Sequence, residues 1–262
     1  HSMALGDDLD MRFHVAVRAG AEDAVSLLVN VAGKEKTYRL ADGVKDEATG
    51  HHIFSVSLAA AQMTEPVSVK LMADGKAVHT GSYTVKDYAE SLLAQTQNES
   101  LTALLQAMLV YGGKAQTYFA YRVEDMADAN LEFAPLPIPD ASNFDCKIQN
   151  GLDDIWVYGA TLVLRSRTAI RYYFAVNDRF DPADCTVCAD GKEVPLHANG
   201  DIYYVELTVA NPALLDTEHT VTISRQEGTL SVSYSGIHYV ARMWEKAENP
   251  LKELAQALYG YH

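Results

Sequence analysis

Between residues 84 and 121 the apolar positions change their period. Leu101, Leu104, Leu105, Met108, Leu109, Ala115 and Phe119 recur at i, i+3, i+4, i+7 spacing, which predicts one apolar stripe along a helix that something else must cover. Thr84 followed by Asp87 reads as a capping box, and Asn98 stands where a second cap is needed, so the stretch predicts a helical hairpin. Asn98-Glu99-Ser100 also matches a glycosylation sequon, but the cap accounts for Asn98 without it. Gly112-Gly113 inside the second helix costs about 1 kcal/mol per glycine against alanine, which predicts that a neighbour crosses closely there. Upstream the period is two: Phe13, Val15 and Val17 alternate with Arg12, His14 and Ala16, and Phe54, Val56 and Leu58 with Ser55 and Ser57. Turn signals at Ala32-Gly33-Lys34 and Ala73-Asp74-Gly75-Lys76 separate such runs. Residues 4–83 thus predict six or seven strands at the spacing of a small β-sandwich.

The pattern then repeats. Arg12-Phe13-His14-Val15-Ala16-Val17 lines up with Arg171-Tyr172-Tyr173-Phe174-Ala175-Val176, and residues 53–58 line up with residues 202–207. Thr84 to Ala89 lines up with Ser235 to Val240, and Gln106-Ala107-Met108 with Gln256-Ala257-Leu258, while Asn249-Pro250 supplies a helix start. The expected fold is α+β, mainly β, with two repeated Ig-like β-sandwich units, each followed by a helical hairpin. The expected boundaries are 1–121 for the first unit, 122–150 for a connector and 151–262 for the second, whose hairpin is cut short. In the connector Pro135, Pro137 and Pro139 alternate, favouring an extended path, with Leu136 and Ile138 suited to lying on a surface.

With 262 residues, two domains are the natural expectation, each able to bury a core unaided. A net charge of −14 argues against nucleic acid as a partner, since phosphate binding needs a concentrated basic surface and the sequence shows none. There is no apolar run of the roughly eighteen residues that a membrane-spanning helix needs. His1-Ser2-Met3 reads as a tag remainder, which would make the chain an excised module whose ends are imposed, its last helix stopping at His262 before the first copy's pattern is complete. Cys146, Cys185 and Cys188 are odd in number, excluding a full disulfide framework; Cys185 and Cys188 fall in a β-like run, where residues three apart face opposite sides, unlike a redox pair at a helix start.

Leu5-Gly6-Asp7-Asp8-Leu9, Tyr83-Thr84-Val85-Lys86-Asp87-Tyr88-Ala89 and the run from Ala107 to Phe119 together resemble a duplicated module found in large exported or cell-surface proteins of anaerobic, often gut-dwelling Firmicutes. The resemblance covers nearly the whole chain. It implies a non-catalytic appendage, extracellular or cell-surface, monomeric within a larger chain that carries dockerins, Ig-like or leucine-rich repeats or glycan-degrading domains. It implies no defined binding residues, and the second copy departs from it in having Arg165-Ser166-Arg167 where the first has Gly6-Asp7-Asp8.

No nucleophile, P-loop, dinucleotide or HExxH signature occurs, which speaks against an enzyme. Asp7, Asp8 and Asp10, and Asp153 with Asp154, are neighbours along loops, not carboxylates held apart across a cleft, and read as solvated acidic turns. Asp178, Asp181 and Asp184 could supply oxygens to calcium, the one cofactor the sequence suggests, although their spacing is not that of an EF-hand and a solvated turn is the default reading. Aromatic residues carry the binding signal, since flat rings dock the C–H faces of sugars. Trp244 lines up with Leu93 and reads as core, and Tyr172 and Tyr203 line up with Phe13 and Phe54 and face inward. Alternation places Arg171 and Tyr173 outward on one strand and Tyr204 and Glu206 outward on another; the first copy has His14, Ser55 and Ser57 there. If the two strands are neighbours, two rings and two charged groups share one surface suited to a polysaccharide or host glycan, with Trp156 and Tyr158 as the next platform. The competing readings are cross-strand tyrosines that only stabilise a sheet, and a spacer or protein-interaction module of a cell-surface or cellulosome-like assembly.

Overall fold

The computed structural model describes residues 1–5, 9–18, 20–130, 137, 145–164, 168–208, 212–246 and 248–262. Gly6, Asp7, Asp8, Pro135, Leu136, Ile138, Pro139 and residues 165–167 lie outside the described residues. The chain is mainly β, with four antiparallel sheets and four α-helices among the described residues, and divides into two compact units, His1–Phe133 and Ala134–His262.

In the first unit β1 (Ser2–Leu5), β2 (Leu9–Val15), β5 (Val44–Lys45) and β6 (His52–Leu58) form a sheet in the order β1-β2-β6-β5. A second sheet, in the order β4-β3-β7-β8, joins β3 (Val25–Val31), β4 (Lys34–Arg39), β7 (Val67–Ala73) and β8 (Lys76–Tyr83). Alternation does its work on both: Met11, Phe13, Val15, Phe54, Val56 and Leu58 are buried on one sheet and Leu27, Val29, Val67 and Val69 on the other. The two buried faces meet, with the Phe13 ring centroid 5.8 Å from that of Tyr83 and Phe54 6.0 Å from Tyr38. Both expected hairpins form two-residue turns with left-handed backbone at Ala32-Gly33 and Asp74-Gly75, the geometry that closes a twisted ladder. Eight strands occur where six or seven were expected, because two-residue β5 and four-residue β1 are too short to show a period.

α1 (Val85–Gln95) and α2 (Glu99–Phe119) follow, capped as expected: Thr84 Oγ1 accepts from Asp87 N–H at 2.9 Å and Asn98 Oδ1 from Leu101 N–H at 3.1 Å. The stripe on α2 is wider in its middle and narrower at its ends than the pattern predicts. Every residue from Met108 to Gln116 is buried, whereas Leu104 and Phe119 are exposed. Gly112 explains the burial, since a Cβ there would strike Met63 Sδ and come within 3.1 Å of Ala127 Cβ; the crossing neighbours are a 3-10 turn (Ala60–Gln62) with the residue that follows it, and the chain after α2. Gln116, fully buried, ties that chain down: its Nε2 donates to Thr64 Oγ1 (3.0 Å) and to the carbonyls of Arg122 (3.3 Å) and Asp125 (2.9 Å), and its Oε1 accepts from Ala127 N–H (2.7 Å). Tyr121 donates to Glu65 at 2.6 Å beside it.

The second unit has β9 (Lys147–Asn150), β10 (Ile155–Leu164), β11 (Thr168–Val176), β12 (Thr186–Ala189), β13 (Lys192–Glu193), β14 (His197–Asn199), β15 (Ile202–Thr208), β16 (His219–Ser224) and β17 (Thr229–Tyr234). They form sheets ordered β10-β11-β15-β14 and β13-β12-β16-β17-β9. Position by position this repeats the first unit's two orders, with β9 added. The connector expected over 122–150 is therefore shorter than its pattern suggests at both ends, because residues 121–127 are bonded into the first unit and 147–150 pair with β17. Ile148, exposed on that edge strand, leaves no buried alternation to read. Tyr172, Phe174, Ile170 and Val205 are buried, and the Tyr172 hydroxyl donates across the sheets to the His219 carbonyl at 2.8 Å.

The lineup of Phe13 with Tyr172 and Phe54 with Tyr203 does not survive in the registers. Phe13 stands opposite Phe54, but Tyr172 stands opposite Val205 and Phe174 opposite Tyr203. A shift of two residues keeps every side chain on its face, so alternation cannot detect it. α3 (Gly236–Lys246) and α4 (Leu251–Tyr261) close the unit; Trp244 is buried with its ring 5.8 Å from Tyr259, and α4 starts one residue later than Asn249-Pro250 predicts, with Pro250 as its cap residue.

Candidate functional site

The tyrosines singled out in the sequence are cross-strand partners. Tyr173 of β11 stands directly opposite Tyr204 of β15, and Arg171 directly opposite Glu206. The two tyrosine rings lie 6.3 Å apart at 48°. Arg171 Nε donates to Glu206 Oε2 at 2.9 Å, its Nη2 bonds the same oxygen, and the guanidinium carbon lies 4.5 Å from the Tyr204 ring centroid. The Glu206 hydrogen bond, with that of Tyr173 behind it, raises the Arg171 pKa above the ordinary arginine value against the opposing effect of burial. The pair is thus a fixed, internally neutral hydrogen-bonding group.

His197 joins them from β14, opposite Tyr204, its ring stacked on that tyrosine at 5.0 Å and 25°. Sequence reasoning missed it because a three-residue strand shows no period. On the other side, Trp156 of β10 stands opposite Ala175, two residues along β11 from Tyr173, and so shares the outward face; it is 46% exposed. Tyr158, 72% exposed, is the extra residue of a β-bulge between Val157 and Gly159, which breaks the simple alternation that put it beside Trp156. The bulge brings Gly159 opposite Tyr173, and a Cβ on Gly159 would meet nothing within 4 Å. Tyr173 and Tyr204 are half-buried, held by one another and by Arg171 and His197.

The calcium candidates do not converge. Asp181 Oδ1 accepts from Ala183 N–H at 2.9 Å, capping the 3-10 turn Pro182–Asp184, while Asp178 and Asp184 are exposed. Among the described residues no group of three or more His, Cys, Asp or Glu side chains is placed to hold a metal. Asp153 and Asp154, read as one solvated turn, have opposite environments. Asp153 forms an exposed pair with Arg179 (3.1 Å), whereas Asp154 pairs with Arg225 at 2.7 Å with only 8% and 9% of their side chains exposed. Burial opposes the Arg225 charge, and hydrogen bonds from its guanidinium to Cys185 Sγ (3.1 Å) and Asp154 outweigh it, so its pKa is raised; the group also lies 4.7 Å from the Phe180 ring centroid. That is structural bonding beneath a sheet end. In the first unit, an open depression of about 730 Å³ is lined by Glu22, Asp23, Arg39 and His52, but its two acids are neighbours on one 3-10 turn (Glu22–Ala24), not opposed across a cleft. The three cysteines are free, and no helix is long and apolar enough to cross a membrane, both among the described residues.

No known family's sequence profile matches the chain, and no curated protein does.

Proposed function

We propose that the chain is a non-catalytic module of an exported or cell-surface bacterial protein that binds a polysaccharide or host glycan on the outward face of the sheet β10-β11-β15-β14. The observation that carries this reading is the direct opposition of Tyr173 and Tyr204 beside the Arg171–Glu206 pair, with Trp156 exposed on the same face. Rings offer apolar surface to sugar C–H groups, and a guanidinium and carboxylate offer directional partners to hydroxyls. We further read each unit as an Ig-like sandwich followed by a helical hairpin and the two as products of a duplication, supported by the matching strand orders. On the outward face of the first unit's corresponding sheet Arg12 and Ser55 stand opposite one another and Ser57 donates to Asp10 at 2.7 Å, with no aromatic pair there among the described residues, so we assign binding to the second unit.

A second reading, a spacer or interaction module, draws on the half-burial of Tyr173 and Tyr204: a cross-strand pair stabilises a sheet by about 0.2–1 kcal/mol without any ligand. Affinity electrophoresis against a polysaccharide panel, with and without calcium, separates the two. Tyr173→Ala and Tyr204→Ala should each abolish retardation while unfolding stays cooperative; retardation that survives the double substitution removes this site.

A further inference from the structure

Resting on that reading, we propose that the face takes an uncharged linear saccharide laid across the strands, along the line Gly159, Tyr173, Tyr204, His197, and discriminates against glycans bearing carboxylate or sulfate groups. The line follows from the registers, which set these four residues side by side on β10, β11, β15 and β14. With strands about 4.8 Å apart, its three steps span roughly 14 Å, the length of a short oligosaccharide and more than a single sugar needs. At one end the floor is bare, since Gly159 carries no side chain and the space above it is open. In the middle the two tyrosine rings offer C–H docking surface, and His197 closes the other end on the Tyr204 ring.

The flanks differ in character. Trp156, two residues along the sheet on one side of the line, is apolar and exposed. Arg171 and Glu206, the next outward positions on the other side, form the polar edge. The discrimination comes from that edge. Two Arg171 hydrogen bonds end on Glu206 Oε2, a further one involves Tyr173, and the guanidinium already faces the Tyr204 ring, so its charge is spent within the protein. A uronate or sulfate arriving there would have to displace Glu206 from Arg171 or accept the carboxylate as a neighbour of like charge, on a chain whose net charge is already −14. A neutral sugar needs neither: its hydroxyls can donate to Glu206 and accept from Tyr173 with the ion pair intact.

The test uses the whole chain in native gels containing hydroxyethyl cellulose, xyloglucan or galactomannan as neutral probes and polygalacturonate or heparin as acidic ones. The wild type should be retarded by at least one neutral polymer and by neither acidic one. Glu206→Gln keeps the side-chain shape but leaves the Arg171 charge unpaired. It should lose neutral retardation several-fold and gain retardation by polygalacturonate that disappears on raising the salt, as a screened charge interaction must. Wild-type retardation by an acidic polymer as strong as by any neutral one overturns the discrimination but leaves glycan binding standing. Retardation by none of the probes removes glycan binding itself, and this inference with it.

Discussion

Replacing Asp154 by alanine should cost the second unit about 3–5 kcal/mol, because it strands a buried guanidinium. At 2.7 Å the Asp154–Arg225 attraction is about 6 kcal/mol for an effective dielectric constant near 20, and desolvation of the two ions takes back several kcal/mol for each, so the intact pair is worth little net. Truncating one partner removes the attraction and keeps the other's desolvation. What remains to Arg225 is a thiol, the Asp181 carbonyl and the face of Phe180. Against the roughly 5–15 kcal/mol that holds a typical domain folded, the loss is severe. Both tryptophans, Trp156 and Trp244, lie in the second unit, so fluorescence-monitored urea unfolding reports on that unit alone. At a slope near 2 kcal/mol/M the midpoint should fall by about 2 M. The neighbouring Asp153→Ala, which removes an ion pair with 83% and 65% of its side chains exposed, should stay within about 1 kcal/mol of wild type. The double variant Asp154→Ala/Arg225→Met should recover most of the loss, since methionine can cover Phe180 without a charge. Equal midpoints for the two single variants would refute the reasoning.

Two further expectations follow from burial. Gly112→Ala gains about 1 kcal/mol of helix propensity but drives a methyl into Met63 and Ala127, an overpacking that costs about 1–3 kcal/mol, so thermal unfolding should show net destabilisation; a rise in Tm would mean that the crossing is loose. Burial raises the pKa values of Tyr172 and Tyr234, so above pH ~10 the folded chain keeps protons that the unfolded chain releases. The stability tied to these protons is whole below pH ~10 and is lost as the pH climbs toward the folded-state values. Tyrosinate absorbance from these two should appear together with unfolding; smooth titration of all fifteen tyrosines near pH 10 in a folded chain would contradict the buried hydroxyls.

What could be read from the sequence was whatever has a period or a local chemistry. Caps at Thr84 and Asn98, turns at Ala32-Gly33 and Asp74-Gly75 and the inward or outward sense of Phe174, Tyr173, Val205 and Tyr204 are local, and the structure places them accordingly. Registers are not local. The two-residue offset between Phe13–Phe54 and Phe174–Tyr203 pairings is invisible to alternation, and the opposition of Arg171 to Glu206 depends on it. Short elements such as β5, β9 and β14 carry too few residues to show a pattern, which hid His197. Asp153 and Asp154 are chemically identical neighbours, and only the Arg225 seventy-one residues away distinguishes them.

The bulge that lifts Tyr158 out of β10 also bears on the chain's tendency to aggregate. Among the described residues the four sheets have eight outer strands, each with one edge of amides and carbonyls outside the ladder that a foreign strand could extend. Five of them, β1, β5, β9, β13 and β14, have four residues or fewer, too short a template to hold a partner. β4 is longer but carries Lys34, Glu35, Lys36 and Arg39. The remaining two, β8 and β10, are the longest, with one charged residue between them, and each is interrupted by one extra residue, Val78 in β8 and Tyr158 in β10. A strand docking along either would lose its ladder halfway. Removing Tyr158 would therefore straighten the edge of β10 and leave a longer uninterrupted template for another strand.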